Sequence, residues 1–562
     1  MPHAEDDTRD TRSRVAILDF PFHSILLSVY PILYVYGRNL AHIPVSDTVR
    51  SMALSIGIFS SLLLGFRVVL GDWEKAGVLN SLLSCLFYSF GHIANALEEQ
   101  LHHRGLGFSV SVLAWTWLII FLFLSFPVVR CGLPDKVTRS LNLICGILLA
   151  LSLSTVIRAG DVNTELSQPE EEQLAQLRGE TEAEASLREP PSSELPDIYY
   201  VILDGYVRSD YLAELYGYDN SPFIDALERR GFYVVSSSHS NYLNTDYSLN
   251  TSLNLMYFHE FPDGTFNKAN HNLLTNYVGD FLHEHGYRRV VFDSGTGDTN
   301  NQDADIFRTP ATTSSEERGA LNAFERFFLR TTLGLLLYGD RSPDAGPDMQ
   351  GNVVRSAVNQ ALSLRRRRIS YALTHLPDYA SKDGHYFLFA HIYSPHIPFL
   401  YGPDGEELSY HGNLNLYWYE VRPENYIEYY TYQIDYLNQV VLDTIDAILD
   451  SSRKPVVIVL QSDHGDEKFL DRDAPTTQGV KVRSAILNAF YFSDQSYDGF
   501  YPTMTPVNTF RLVFNHWFGT RYPLLSDKVF FHEDPLSTGR NEKPEFVDAC
   551  AHFGICLPHP PY

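Results

Sequence analysis

The sequence predicts an N-terminal bundle of about five transmembrane α-helices followed by an α/β domain with a mainly parallel central sheet. Three observations lead to this prediction. Apolar runs near 20 residues long crowd the first 158 residues, and strand-like and helix-like segments alternate from residue 196 onward. Acidic residues followed by glycine come after two of the predicted strands, as expected at the ligand-binding edge of a parallel sheet.

Length and charge limit the possible functions. The chain has 562 residues, which is more than one ordinary domain, and a net charge of −25, which argues against nucleic acid as a partner. Its five cysteines are too few for a disulfide scaffold. Cys550 and Cys556 lie close together, and their spacing is compatible with a small bridged loop and with two free thiols.

Five apolar runs are candidate membrane spans, since a helix needs about 20 residues to cross a bilayer. They cover approximately residues 15–36, 50–70, 76–96, 107–129 and 138–157. The third run is more polar than the others, so it is expected to line the bundle. Basic residues in the tail 1–14 and after the second and fourth runs predict a cytoplasmic N-terminus. If an integral plasma-membrane protein has a cytoplasmic N-terminus and five spans, its C-terminal domain lies outside the cell membrane. With four spans, the C-terminal domain would lie inside.

A change of composition separates the membrane part from the rest. The segment 159–195 contains ten acidic residues and two adjacent prolines, so it is expected to act as a spacer, with at most a short helix. The predicted organisation is therefore a cytoplasmic tail (1–14), a transmembrane bundle (15–158), an acidic linker (159–195) and an extracytoplasmic catalytic domain (196–562).

The predicted parallel strands end in residues that suit a metal ion. The run Val456–Leu460 is apolar and β-branched, and Asp463, His464 and a glycine follow it. A second apolar run, Ile198–Leu203, is followed by Asp204 and again a glycine. Carboxylate oxygens and an imidazole nitrogen suit zinc or manganese. Each acid is equally compatible with an ordinary polar turn or a helix cap.

Two hydroxyl residues near the start of a predicted helix are candidates for the nucleophile of such a site. Thr245 and Ser248 lie in a segment, 240–250, that follows the predicted strand Tyr233–Val235 and opens an apolar helix, Ser248–Tyr257. A hydroxyl there lies in the positive potential of free backbone N–H groups, which favours an alkoxide and a bound phosphate or sulfate. The sequence alone does not distinguish this role of Thr245 from that of an N-cap.

Four segments together resemble the membrane-bound branch of the sulfatase-like alkaline phosphatase superfamily. They are LDG (203–205), NYLNTDYSLNTSLN (241–254), HIYSPHIPF (391–399) and SDHGDE (462–467), in the order found in lipoteichoic-acid synthases and phosphoethanolamine transferases. The resemblance implies an α/β sulfatase-like domain, one divalent ion (zinc or manganese), and a covalent phospho-threonine intermediate. It assigns Asp204, Thr245, Asp463 and His464 as metal ligands and Thr245 and His396 as catalytic residues. His391, His396 and Ser248 would bind substrate.

The sequence departs from the family pattern at two places, and each limits what the resemblance implies about the reaction or the metal site. No C/S-x-P/A-x-R sequence surrounds Thr245 or Ser248, so formylglycine-dependent sulfate hydrolysis is not expected. The segment 468–481 lacks the histidine that phosphoethanolamine transferases carry after DHG, which leaves a second metal without its usual ligand. Asp471, Asp473 and Lys481 are the candidates to fill that position.

The expected function is metal-dependent transfer of a phosphoglycerol- or phosphoethanolamine-type group from a phospholipid donor in the membrane. The acceptor would be a glycan, lipid or polymer of the cell envelope. Two other interpretations remain: hydrolysis of phosphate or sulfate esters, and a non-catalytic membrane protein with the same fold. Four consecutive arginines, Arg365–Arg368, are expected to form a solvated helix face or to contact anionic lipid.

Overall fold

The computed structural model describes most of the chain. The described residues are 20–38, 45–102, 109–130, 136–160, 168–179, 194–261, 276–296, 299–300, 304–310, 323–338, 349–408, 425–471, 474–532 and 545–560. They divide into two compact units. The first contains residues 1–162 and 313–361, and the second contains 163–312 and 362–562.

The first unit contains five apolar helices: α1 (His23–Arg38), α2 (Val45–Leu70), α3 (Trp73–His102), α4 (Val110–Arg130) and α5 (Val137–Gly160). The last four are long and apolar enough to cross a membrane. The third of the five is the most buried of these four, in line with the prediction that it lines the bundle. The described part of α1 has only 16 residues, or about 24 Å, against a bilayer core of about 30 Å.

The first unit also includes a segment that the sequence had assigned to the catalytic domain. Helix α11 (Ala323–Thr331) and the 3₁₀ helix Leu333–Tyr338 belong to it. Phe324 packs with Ile32 and Tyr36, and Leu335 packs with Phe90 of α3. The expectation of one continuous domain over 196–562 therefore differs from the structure, because this apolar insert is buried against the membrane helices.

The second unit is built on a sheet whose described strands are β1 (Asp197–Leu203), β2 (Tyr233–Val234), β3 (Tyr287–Phe292), β4 (Ile306–Arg308), β5 (His385–Ile392), β6 (Val456–Gln461) and β7 (Asn488–Phe492). Their order in the seven-stranded sheet is β2-β7-β6-β1-β5-β3-β4. The five strands from β6 to β4 in this order are parallel, and β7 pairs antiparallel with β6 and with β2. The prediction of a mainly parallel sheet is confirmed.

Helices cover this sheet because apolar side chains recur along them at helical spacing. The α-helices described wholly within this unit are α6 (Gln168–Arg178), α7 (Ser209–Tyr216), α8 (Ser221–Arg229), α9 (Thr245–Asn254), α10 (Tyr277–Glu284), α13 (Tyr426–Ser451), α14 (Thr477–Ser484), α15 (Thr509–Trp517) and α16 (Ala549–Phe553). One further helix, α12 (Met349–His375), begins in the first unit and ends in the second. Helices α9, α10 and α15 pack with alternate residues of β1 in the main core.

Two details of this unit bear on the sequence predictions. Helix α6, within the acidic linker, is docked rather than free: Leu174 is buried, and the Arg178 guanidinium lies 4.3 Å from the centre of the Tyr277 ring. Near the C-terminus, β8 (Phe530–Phe531) pairs with β9 (Val547–Asp548). Cys550 and Cys556 form a disulfide there, which decides between the two arrangements compatible with their spacing.

Candidate metal centre and active site

The predicted site residues are carried by three neighbouring parallel strands. β1 lies between β5 and β6, so the carboxyl ends of all three meet at one edge of the sheet. Asp204 follows the last residue of β1, and Asp463 and His464 follow β6 after a single serine. His391 lies near the end of β5. Residues far apart in the sequence are thereby brought together.

Asp204, Asp463 and His464 form a compact, buried group. One ligand atom from each lies within 4.8 Å of the other two. His464 Nε2 is 3.2 Å from Asp463 Oδ2 and 3.8 Å from Asp204 Oδ1. The other ring nitrogen, Nδ1, is 3.0 Å from the carbonyl oxygen of Gly465, to which it donates. That hydrogen bond directs the unprotonated Nε2 toward the two acids.

The polar atoms of this group fit a divalent ion. Among the described residues, Asp204 Oδ1 and Asp463 Oδ2 are buried and have no hydrogen-bond partner. A buried carboxylate oxygen without a partner is costly, so native proteins satisfy such atoms by a hydrogen bond or a metal ion. Two oxygens and one imidazole nitrogen also leave room for further ligands, as catalytic metal sites do.

The two acids have opposite electrostatic environments. Burial favours a higher pKa for Asp204, but the neighbouring His396 and His391 are the main groups that outweigh it and lower this pKa below its usual value. Burial and the charge of Asp204 raise the pKa of Asp463 to about 6. Burial and the nearby Arg483 lower the pKa of His464 well below its usual value, so its imidazole is neutral. A neutral imidazole is the form that binds metals.

Thr245 points its hydroxyl into the same group. Asn244 occupies the N-cap position of α9, so Thr245 is the first helical residue and its side chain is not the cap. Its Oγ1 is 3.2 Å from His464 Nε2, and the hydroxyl lies close enough to Asp463 to influence its pKa. Ser248 is buried one turn further along α9, and among the described residues it makes no side-chain hydrogen bond to the group.

The two predicted substrate-binding histidines occupy different positions. His391 lies beside Asp204, with Nε2 3.3 Å from Asp204 Oδ2 and Nδ1 2.9 Å from Thr299 Oγ1. The backbone N–H of His396 donates to the carbonyl oxygen of Asp204, and its Nδ1 lies 2.8 Å from the carbonyl oxygen of Ile397. The ring of His396 is centred 6.3 Å from that of His464.

The arginine run is not a solvated face, which corrects the sequence-based expectation. Arg365 donates to the carbonyl oxygens of Tyr393, His396 and Ile397. Arg366 donates to Leu400, Leu408 and Glu407, and Arg368 forms an ion pair with Asp293. These side chains hold loops of the catalytic unit in place.

One basic residue at the candidate metal centre, Arg483, was not predicted from the sequence. Arg483 is 3% exposed, and its Nη2 lies 3.0 Å from His464 Nε2. Of the three residues proposed for the position of the missing histidine, Asp471 is exposed and Lys481 is half-buried, while Asp473 lies outside the described residues. No local sequence signal marks Arg483, since a single arginine in a polar helix is ordinarily a surface residue.

Comparisons with known proteins gave one family match and several similar solved structures. The sequence model of the sulfatase family matches residues 196–483, just over half of the chain. Similar solved structures include the C-terminal periplasmic domain of EcEptC from Escherichia coli, with 14% identity, a TM-score of 0.35, and coverage of 64% of this chain and 95% of that one. Another is the integral membrane lipooligosaccharide phosphoethanolamine transferase A from Neisseria meningitidis, with 13% identity, a TM-score of 0.37, and coverage of 89% and 95%. No curated protein matches the chain.

Proposed function

The chain belongs to the sulfatase family, and from this membership and the geometry of the site we propose that it is a metal-dependent phospho-alcohol transferase. The observation that carries the proposal is the position of Thr245, whose hydroxyl lies against two buried acids and a histidine. We propose that the donor is an anionic or zwitterionic phospholipid of the membrane, and that an envelope glycan, lipid or polymer is the acceptor.

The residues of the site divide the chemistry between them. Asp204, Asp463 and His464 would hold one divalent ion, zinc or manganese, and Thr245 would complete its ligands. When bound, such an ion lowers the pKa of a hydroxyl and neutralises charge on the phosphoryl oxygens. The contact of Thr245 Oγ1 with His464 Nε2, at 3.2 Å, would orient the Thr245 oxygen for attack.

The proposed reaction proceeds in two displacements. Thr245 releases its hydroxyl proton to solvent, and its Oγ1 forms a bond to the phosphorus while the bond to the diacylglycerol oxygen breaks and His396 gives that oxygen a proton. This leaves diacylglycerol and a phosphodiester on Thr245. In the second displacement, an acceptor hydroxyl gives its proton to His396 and takes the group from Thr245, whose oxygen regains a proton from solvent. Nδ1 of His396 is engaged by Ile397, so Nε2 is the nitrogen that transfers the proton.

The proposal also covers the arrangement in the membrane. We propose an integral plasma-membrane protein with a cytoplasmic N-terminus and an extracytoplasmic catalytic unit. The disulfide between Cys550 and Cys556 supports this side for the catalytic unit, because such bonds persist in oxidising compartments.

Mapping the covalent adduct tests the proposed nucleophile. The purified full-length protein would be incubated with zinc or manganese and head-group-labelled phosphatidylglycerol or phosphatidylethanolamine, and its peptides analysed by mass spectrometry. We expect a phospho-alcohol mass on Thr245 and none in Thr245→Ala. Thr431→Ala is the matched control, because that exposed hydroxyl only bonds to its own helix. An adduct in Thr245→Ala, or on another residue of the unchanged protein, would refute the assignment.

The fate of the label distinguishes transfer from hydrolysis. In a transferase, label leaves Thr245 faster when a polyol or glycan acceptor is added, and it appears in that acceptor. In a phosphodiesterase, the label appears as free phospho-alcohol at a rate that the acceptor does not change. The second outcome would replace the proposed transfer by hydrolysis while keeping the same nucleophile.

A further inference from the structure

Arg483 connects the two segments that carry the nucleophile and the metal ligands. It lies in the last turn of α14, and its Nε donates to the carbonyl oxygen of Leu243 at 2.9 Å, two residues before Thr245. Its Nη1 donates to the carbonyl oxygen of Gly465 at 3.0 Å, and its Nη2 to His464 Nε2 at 3.0 Å. One guanidinium thus contacts both sides of the proposed active site.

The backbone around Arg483 is also fixed. The N–H of Gly465 donates to the carbonyl oxygen of Arg483 at 2.6 Å. A Cβ atom at position 465 would clash with the carbonyl oxygens of Val482 and Ala485, so only glycine allows the two segments to approach this closely. The guanidinium is therefore held in place before any ligand binds.

Arg483 carries its charge in the interior of the catalytic unit. Within the described part of the chain, its hydrogen bonds go to two carbonyl oxygens and an imidazole, and none goes to a carboxylate. A buried cation normally pairs with an acid, since removal from water is costly. The acids of the metal group, Asp204 and Asp463, are the proposed metal ligands. In a loaded site their two negative charges would balance the divalent ion, so they would not also compensate the charge of Arg483.

We propose that Arg483 binds the phosphoryl group of the substrate and supplies the positive charge that a second metal ion would otherwise supply. This inference rests on the proposed function. His464 Nε2 accepts a hydrogen bond from Arg483 and is also the atom that would ligate the ion, so the two compete for it. Once Nε2 is a metal ligand, the N–H of Nη2 is available to an anionic phosphoryl oxygen. A guanidinium suits this contact because it presents several donors in a fixed plane.

The proposal predicts two effects that differ in sign. A buried cation beside a metal site opposes metal binding, so removing its charge should leave the metal affinity unchanged or raise it. The same change should weaken binding of a phosphodiester anion, which loses a charge-assisted hydrogen bond. A residue that only maintains the structure would behave differently, because its loss would weaken both kinds of binding together.

Two substitutions separate charge from hydrogen bonding. Arg483→Gln removes the charge but keeps an amide donor, whereas Arg483→Lys keeps the charge. Arg230→Met is the control, since Arg230, directly after α8, pairs with Asp446 of α13. Zinc and manganese affinities of the full-length protein in detergent would be measured by calorimetry. Binding of dimethyl phosphate to the metal-loaded protein would be measured in the same way, and thermal scans would establish that each variant is folded.

We expect Arg483→Gln to bind dimethyl phosphate about tenfold more weakly, with an unchanged or higher metal affinity. Unchanged dimethyl phosphate binding, or a parallel loss of metal and dimethyl phosphate binding, would overturn the proposal. If Arg483→Gln does not fold, Arg483→Lys decides: retained binding of dimethyl phosphate supports a role for the charge, and lost binding in a folded variant contradicts it. These binding measurements do not require turnover, so failure to find a Thr245 adduct would refute the proposed function separately.

Discussion

At the scale of single residues, the two acids of the site have different affinities for protons. Asp204 is held ionised mainly by His396 and His391, and burial together with the charge of Asp204 raises the pKa of Asp463 to about 6. In an unfolded chain an aspartate has a pKa of about 4. The folded protein therefore favours the protonated form of Asp463. That contribution to stability is complete below about pH 4 and is lost as the pH rises through about 6.

A divalent ion should reverse this loss, because it binds the ionised carboxylate. We expect zinc or manganese to raise the melting temperature more at about pH 7.5 than at about pH 5, where a proton on Asp463 competes with the ion. Thermal scans with and without the ion, at both pH values, measure the difference. Asp463→Asn is the control, in which the added pH dependence should disappear. An equal shift at both pH values in the unchanged protein would contradict this account.

Some residues of the candidate site could be predicted from the sequence, and others could not. Asp204, Asp463 and His464 were found because polar residues after apolar strands are informative. Arg483 was not found, because its role depends on Leu243 and Gly465, which only the tertiary fold brings near it.

At the scale of elements, the loop after β5 depends on helix α12. Arg365 donates to the carbonyl oxygens of Tyr393, His396 and Ile397, and its guanidinium lies 3.7 Å from the centre of the Tyr393 ring. These contacts fix the loop that carries His396, the proposed proton donor. The charged run was interpreted as a solvated face because most arginine side chains are exposed, and a sequence does not show which carbonyl oxygens will surround a helix.

Loss of Arg365 should therefore impair protonation of the leaving group. We expect Arg365→Met to slow cleavage of an alkyl phosphodiester by roughly 10- to 100-fold, since a misplaced general acid loses much of its effect. A 4-nitrophenyl diester, whose leaving group needs no proton, should be affected much less. Steady-state kinetics with both substrates measure this split. Arg366→Met is the matched control, because Arg366 holds a different stretch of the same region. Equal slowing with both substrates would argue against a positioning role.

The long elements of the fold could be predicted from pattern alone. Strands β1 and β6 are continuous apolar runs, and α13 has buried residues at intervals of three and four. The antiparallel direction of β7 and the short strand β4 carry no comparable signal, since direction depends on pairing rather than composition.

At the scale of the whole molecule, the membrane unit is assembled from two separate stretches of sequence. Besides the N-terminal helices it includes residues 313–361, which interrupt the catalytic unit in the sequence. Phe324 and Leu335 are buried with residues of the membrane helices, and Glu325 forms an ion pair with Arg50. Hydropathy did not reveal this because α11 is short and amphipathic.

Cutting the linker should therefore not release the catalytic unit. We expect that a protease site placed within residues 161–167, once cleaved, leaves the C-terminal fragment with the membranes after a high-salt wash, because the insert packs on the helix bundle. Glu325→Arg should weaken this retention by placing like charges together, and the exchange Arg50→Glu with Glu325→Arg should restore it. Sedimentation and immunoblotting measure the distribution. Release of the fragment from the unchanged protein would show that the linker is the only anchor.

The bridge between Cys550 and Cys556 has a practical consequence for following biogenesis. In the proposed topology, each molecule records its own export, since the two sulfurs would be joined only after the C-terminus has reached an oxidising environment. Alkylation of intact cells followed by a mobility-shift gel would thus separate newly made chains from exported ones. Material produced in a reducing cytosol would carry this pair as reactive thiols, next to the β8–β9 hairpin.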